Sequence, residues 1–390
     1  MFSSRVPDDR APTRLARALA RARARARGSL IDLTLSNPTQ AGIDYPSGLF
    51  EPLADPASTC YRPEPFGLPG ARAAVAADFA RRGVPMSAER IVLTASTSEA
   101  YSLLFKLLCD AGRSNVLTPV PSYPLFDHLT ALDAVEQRRY GLEYHSAWTV
   151  DFADVDRQWS ADTRAVLVVS PNNPTGSVLH AVEAAELGRR LAERRAALIL
   201  DEVFCDYPIE PLITDPPPHA APPHLTFRLG GLSKTAGLPQ VKLGWIALDG
   251  PDALVADAMD RLELICDTYL SVSTPVQTAA ASLLDAGAGI RRQILERVRY
   301  NYARLGTQVS AAGGVTRLPA EGGWSAVLRV PATRTEEELV LELLDRDLVA
   351  AYPGYFFDFP HEAFLVVSLL PEPDQFARGV DRILERVHAA

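Results

Sequence analysis

The sequence predicts an α/β protein: a large domain with a mostly parallel sheet flanked by helices, plus a smaller α+β domain. Three observations carry this reading. Short apolar runs alternate with helical periods between residues 70 and 250, the pattern of crossover units in a parallel sheet. Those runs are apolar throughout rather than at every second residue, as strands buried on both faces require. Beyond residue 285 the pattern changes to one long helical stretch followed by mixed strands and helices. The division expected is 1–48 for an N-terminal arm with part of the small domain, 49–285 for the large domain and 286–390 for the small one.

The elements follow in chain order. Residues 12–28, PTRLARALARARARARG, have strong helix propensity up to Gly28. They read as an amphipathic surface helix; a basic nucleic-acid arm or a transit peptide fits poorly with Asp8, Asp9 and the acidic remainder. Gly70–Arg82 is helical in period, Arg90–Thr94 is a strand and Ser98–Cys109 is helical. Asn115–Thr118, Ala165–Val169 and Ala196–Leu200 are β-rich, with a helix at Val182–Arg195 between the last two. Asp257–Asp267 reads as an amphipathic helix with an acidic face. Thr274–Leu284 and a stretch from Gly289 to Ala311 read as helices. Trp324–Val330, Leu348–Tyr352 and Phe364–Leu369 read as strands of the smaller domain. Pro216–Pro218 with Pro222–Pro223 mark a loop.

Composition narrows the function. Of 390 residues, 47% are hydrophobic and 22% charged, enough apolar material for a large core. The net charge of −9 argues against a general nucleic-acid binder, although a small phosphorylated ligand needs only local donors. Cys60, Cys109, Cys205 and Cys266 form no C-x-x-C pair, so a disulfide scaffold and a cysteine-rich zinc site are excluded, and reduced thiols in a cytoplasm are the simplest expectation. No apolar run is long enough to span a membrane, and the opening residues lack the apolar core of a secretory signal. His145, His180 and His361 are isolated, so no metal is expected.

Parallel sheets place ligands beyond the carboxyl ends of their strands. There the sequence sets four polar clusters: Ala95-Ser96-Thr97-Ser98-Glu99, Ser170-Pro171-Asn172-Asn173-Pro174-Thr175-Gly176, Asp201-Glu202, and Gly230-Gly231-Leu232-Ser233-Lys234. The first is either a helix cap or a phosphate cradle of free backbone N–H groups at a dipole's positive end. Ser233 and Lys242 are candidates to add a hydroxyl and a charge to the same phosphate. Lys234 is either a surface lysine or, with its pKa lowered by burial, a Schiff-base former. Asp201 is either a helix cap or a buried carboxylate that needs a partner such as a protonated heteroaromatic nitrogen.

The set Asn-Pro-Thr-Gly, Asp-Glu-x-x, Ser-Lys-x-x-Gly-Leu-Pro and x-Leu-Gly-Trp, in this order, resembles the class I/II aminotransferases of the fold-type-I pyridoxal-phosphate enzymes. The resemblance runs from Leu33 to about Leu384. The separations of 28 residues from Asn173 to Asp201 and 33 from Asp201 to Lys234 are usual for that family. It implies an enzyme that moves an amino group between an amino acid or amine and a keto acid, with pyridoxal 5′-phosphate on Lys234. Lys234 would also move the proton between Cα and C4′. Asp201 would hold the pyridine nitrogen protonated, Asn173 would donate to the 3′ oxygen, and Tyr123 would stack on the ring. Ser96, Thr97, Ser98, Ser233 and Lys242 would hold the phosphate. Tyr61 would reach the phosphate of a neighbouring subunit, making a homodimer with shared sites. Ser36, Asn37 and Tyr355 are candidate substrate contacts.

The sequence departs from that family in several places. Phe204 stands where a tyrosine usually bonds the 3′ oxygen, Lys242 where an arginine precedes the Leu-Gly step, Gly231 where a serine binds phosphate, and Ser36 where a glycine lies near substrate. Val366 stands where an arginine forks onto the substrate carboxylate, and no arginine occurs between Tyr352 and Glu372. Arg62 and Arg329 are the cations considered in its place. The missing arginine leaves a lyase, decarboxylase or cyclase on the same cofactor as the alternative. A non-catalytic ligand-binding relative is the reading from another class, opposed by the joint presence of Lys234, Asp201 and Asn173. The aromatic segment Tyr352–Phe359 reads either as a substrate pocket or as core.

Overall fold

The computed structural model describes residues 2–26, 28–209 and 222–389; the expected turn at Pro216–Pro218 lies outside them. In chain order the elements begin with α1 (Arg14–Ala26), β1 (Ile31–Asp32), α2 (Pro69–Arg81), β2 (Ile91–Thr94) and α3 (Thr97–Leu108). There follow β3 (Asn115–Val120), α4 (Phe126–Leu132), β4 (Glu136–Tyr144), β5 (Trp148–Val150), α5 (Phe152–Gln158), β6 (Thr163–Val169) and α6 (Ala181–Arg194). Next come β7 (Ala197–Asp201), β8 (Thr226–Gly231), α7 (Leu232–Thr235), β9 (Gly244–Asp249), α8 (Asp252–Tyr269), α9 (Thr274–Thr278) and α10 (Ala280–Ala312). The remainder is β10 (Thr316–Arg317), β11 (Ser325–Arg329), α11 (Glu336–Glu342), β12 (Val349–Ala350), β13 (Tyr352–Pro353), β14 (Phe364–Ser368) and α12 (Pro373–His388).

Eight strands form the large sheet in the order β2-β9-β8-β7-β6-β3-β4-β5. The run β8-β7-β6-β3-β4 is parallel; β9 is antiparallel to both its neighbours, and β5 to β4. Both faces are buried, which explains the uninterrupted apolar runs. In β6 and β7, Ala165, Leu167, Ala197 and Ile199 pack towards α3 and α8, while Val166, Val168, Leu198 and Leu200 pack towards α5 and α6.

The smaller sheet has the order β10-β11-β14-β13, all antiparallel. Ala326, Leu328, Leu365 and Val367 share the core that includes α10 and α12, and Val327 and Val366 face the other way. The single strand expected at Leu348–Tyr352 is two: β12 pairs with β1 and β13 with β14. The two helices expected on either side of residues 285–288 are one, α10, of 33 residues. Gly287 does not break it, because a Cβ there would lie 2.4 Å from Ala236 Cβ; the glycine permits a close crossing with the segment after α7.

Candidate active site

Register brings the polar clusters together. Thr94 and Gly231 both pair with Gly244. The chains running on from these three points, 95–98, 232–234 and 243–242, therefore emerge at one corner of the sheet. Packing there is tight: a Cβ on Gly244 would meet the Ser96 backbone at 3.0 Å. The ends of β6 and β7 lie beside that corner, with Ser170 N–H donating to Asp201 O at 2.9 Å.

Asp201 closes β7 with 7% of its surface exposed. One carboxylate oxygen accepts the Tyr101 hydroxyl at 2.7 Å, and the other accepts the Val203 N–H at 3.1 Å. Burial pushes its pKa up, and these two donors pull it back in part. Lys234 sits on α7, one strand over. Its Nζ lies 5.2 Å from the ring centre of Trp324 and 5.9 Å from that of Phe204. Burial lowers the pKa of this amine, and the charge on Asp201 opposes that shift. The turn carrying it is held by side chains: the Tyr207 hydroxyl donates to Lys234 O, Tyr45 to Gly237 O at 2.7 Å and Arg291 to Thr235 O at 3.2 Å. Lys234 is thus an enclosed amine beside a carboxylate rather than a surface lysine.

The two asparagines after β6 divide their duties. Asn172 is buried and spent: it accepts from Ser122 Oγ and donates to Pro121 O and Thr175 Oγ1. Asn173 uses only its oxygen, which accepts the Ser325 hydroxyl at 3.4 Å; its Nδ2 makes no hydrogen bond among the described residues. The cap reading of Ser96–Ser98 is seen directly, and the hydroxyls left over are those a phosphate cradle would use. Ser96 Oγ caps α3 by accepting the Glu99 N–H at 3.2 Å, while the hydroxyls of Thr97 and Ser98 make no hydrogen bond among the described residues. The Ser233 hydroxyl and the exposed Lys242 ammonium are likewise uncommitted among those residues. A cluster of free hydroxyl, N–H and ammonium donors against a backbone with no room for side chains fits a phosphate.

Other expected contacts fall at the rim. Tyr123 is exposed and close enough to Tyr352 to influence its titration. Ser36 is exposed, and the Asn37 oxygen accepts from Thr39 N at 3.1 Å and from its hydroxyl at 2.8 Å. That segment runs beside β14, since Ser368 N–H donates to Leu33 O at 2.7 Å. Tyr355 is exposed; its backbone N–H is bound by the buried Glu336 at 2.8 Å. The aromatic segment splits: Phe357 and Phe359 are core, and Tyr355 and Phe356 are exposed. Tyr61 is 71% exposed and lines a hollow with Arg62, Glu64 and Tyr269.

Val366 is 1% exposed and shares a cluster with Trp148, Leu318, Val327, Phe357 and Phe359. Val327 pairs with Val366 and Ser325 with Ser368, so Val366 lies on the sheet face from which Ser325 reaches Asn173. Around Val366 that face is apolar. Arg62 and Arg329 are both exposed. Tyr101, Tyr207, Trp324 and Ser325 carry no functional signal in the sequence, where each sits inside an ordinary structural pattern.

The sequence profile of the family described as aminotransferase class I and II matches residues 56–383. The chain belongs to the class I and II aminotransferases. It is an enzyme that transfers amino groups and uses pyridoxal 5′-phosphate. It is 24% identical to the glutamate-pyruvate aminotransferase AlaA of Escherichia coli K12 over 90% of this chain and 89% of that one. It is 25% identical to an alanine aminotransferase of Mycobacterium bovis, covering 91% and 84%. A barley nicotianamine aminotransferase B is 31% identical over 62% of this chain, which spans only 42% of that protein. In fold it is similar to an alanine aminotransferase of Pyrococcus furiosus, at a TM-score of 0.86, 22% identity and full coverage of both chains. These relatives do not favour the lyase, decarboxylase, cyclase or non-catalytic readings of this aminotransferase.

Proposed function

We propose that Lys234 carries the cofactor covalently at rest and, once released by the incoming amine, moves the proton that transamination requires. Bound pyridoxal phosphate supplies an electron-withdrawing ring that stabilises charge on the amine-bearing carbon. The chain's residues do the rest. The lowered pKa of Lys234 favours the neutral amine, the form that accepts a proton. Asp201 would hold the proton on the ring nitrogen, and Asn173 Nδ2 would donate to the 3′ oxygen. Thr97, Ser98, Ser233, Lys242 and the amides of the α3 first turn bind phosphate; Ser96 shapes that turn. Tyr123 covers the ring. The observation that carries this reading is the enclosed Lys234 amine coupled to the buried Asp201 at the corner lined by free donors. Borohydride reduction followed by mass spectrometry of the digest tests it: the cofactor must appear on the peptide containing Lys234, and attachment elsewhere sinks the assignment.

We further propose a homodimer in which Tyr61 serves the neighbouring site, a cytoplasmic setting, and the division 1–48, 49–285 and 286–390. The exposure of Tyr61 supports the first of these.

The substrate follows from Val366. A carboxylate against that apolar wall would be desolvated without a counter-charge, at a cost of several kcal/mol. The amino donor is therefore one that lays no carboxylate there, such as an amine whose reacting carbon carries none. Mixing holoenzyme with a panel of amines and α-amino acids and following the cofactor's absorbance decides this. Equal rates for L-alanine and its decarboxylated analogue would overturn it.

Phe204 is buried edge-on against Trp324, 5.4 Å between ring centres, and near Lys234 Nζ. Phe204→Tyr adds a donor at the ring's 3′ oxygen and should lower the pH midpoint of the bound cofactor's visible absorbance by about one unit. An unchanged spectral titration would show that Phe204 does not border the ring.

A further inference from the structure

The hydrogen bond from Tyr101 to Asp201 has a geometry that suits more than packing. Tyr101 is buried, and its ring is clamped edge-on by Phe126 at 5.4 Å and against Phe105 at 6.2 Å. Its hydroxyl is thereby aimed at one Asp201 oxygen while the Val203 N–H takes the other. Tyr101 lies four residues after Thr97 on α3, so a single helix presents both the first-turn donors and the hydroxyl that grips Asp201. The other charged groups bearing on Asp201 are Glu202, already paired with Arg228 at 2.6 Å, and Lys234.

We propose that Tyr101 is a positioning residue, whose hydroxyl fixes the Asp201 carboxylate so that it presents an anionic oxygen to the cofactor's ring nitrogen. This rests on the assignment of Asp201 to that nitrogen. A carboxylate in an apolar enclosure tends to take up a proton, and a protonated Asp201 gives the ring nitrogen no anion to bind. Two donors, one of them a rigidly held phenol, counter that tendency and leave the carboxylate a single orientation.

The test is Tyr101→Phe, alone and with Asp201→Asn, in full-length protein loaded with ring-15N pyridoxal phosphate. On the native background Y101F should weaken cofactor binding by roughly ten- to a hundred-fold, the worth of a hydrogen bond to a charged group. It should also move the ring-nitrogen resonance towards the unprotonated form. On the D201N background the same change should alter binding less than about two-fold, because the carboxylate it serves is gone. Equal losses on both backgrounds, or an unmoved nitrogen resonance, overturn the proposal. Should Y101F fail to fold, 3-fluorotyrosine at position 101 keeps the shape and strengthens the donor; it must shift the nitrogen towards the protonated form, and no shift is a refutation. The Asp201 carboxyl 13C titration in cofactor-free Y101F must move to higher pH. If it does while D201N binds the cofactor as tightly as the native protein, the assignment of Asp201 fails and the hydroxyl–carboxylate coupling stands.

Discussion

Lys234→Ala is expected to lower kcat by about 10³-fold or more, because it removes the covalent anchor and the proton carrier together. The fold should survive. The lysine's Nζ makes no hydrogen bond among the described residues, and its backbone is held by Tyr207 through a carbonyl that alanine retains. Two readouts separate lost chemistry from lost structure. Borohydride should no longer fix the cofactor to the chain, and added methylamine should restore part of the rate by standing in for the missing amine. A variant that keeps native turnover, or that still yields a reduced covalent adduct, would remove Lys234 from the mechanism.

Asp201→Asn should cost roughly 10² to 10³ in kcat, the usual loss when one fixed electrostatic partner is taken from a developing charge. Asparagine keeps the size; its single oxygen can still accept the Val203 N–H while its NH2 donates to the Tyr101 oxygen, so the loss reports chiefly the carboxylate's charge. The cofactor-free protein gives a second expectation. Asp201 has its pKa raised by burial, so its contribution to stability is complete below the ordinary carboxylate pKa of about 4 and is lost as pH rises through the folded value. Relative to D201N, the native apo-protein should therefore lose melting temperature as pH climbs through that window. Parallel melting curves for the two proteins would mean that Asp201 is not the buried acid described above.

What the sequence revealed depended on burial. β6 and β7 stood out because neighbours on both faces demanded apolar side chains throughout, and the chemistry followed from what came next in the chain. β4, with Glu136, Arg138 and Arg139 paired to surface partners, offered no apolar run and went unread. The sequence pattern divides α10 between Leu284 and Gly289, since the crossing with Ala236 that makes use of Gly287 is a tertiary fact. Lys234, Asp201 and Asn173 were legible as a set. Tyr101 was not: within Ser98–Cys109 it reads as one more core aromatic, and only the fold reveals the acid 100 residues away. The absence of an arginine near residue 366 was visible early; that Trp148, Phe357 and Phe359 enclose the position required the register of β11 and β14.

Helix α10 has a mechanical consequence. Near its start it is gripped by the lysine-bearing turn, through Gly287 on Ala236 and Arg291 on Thr235. Farther along, Asn301 donates to Leu369 O and Pro371 O just past β14. An unbroken rod joins the two, so it has no pivot between these anchors. A displacement of the segment after β14 would therefore be carried along this shaft to the turn that bears Lys234.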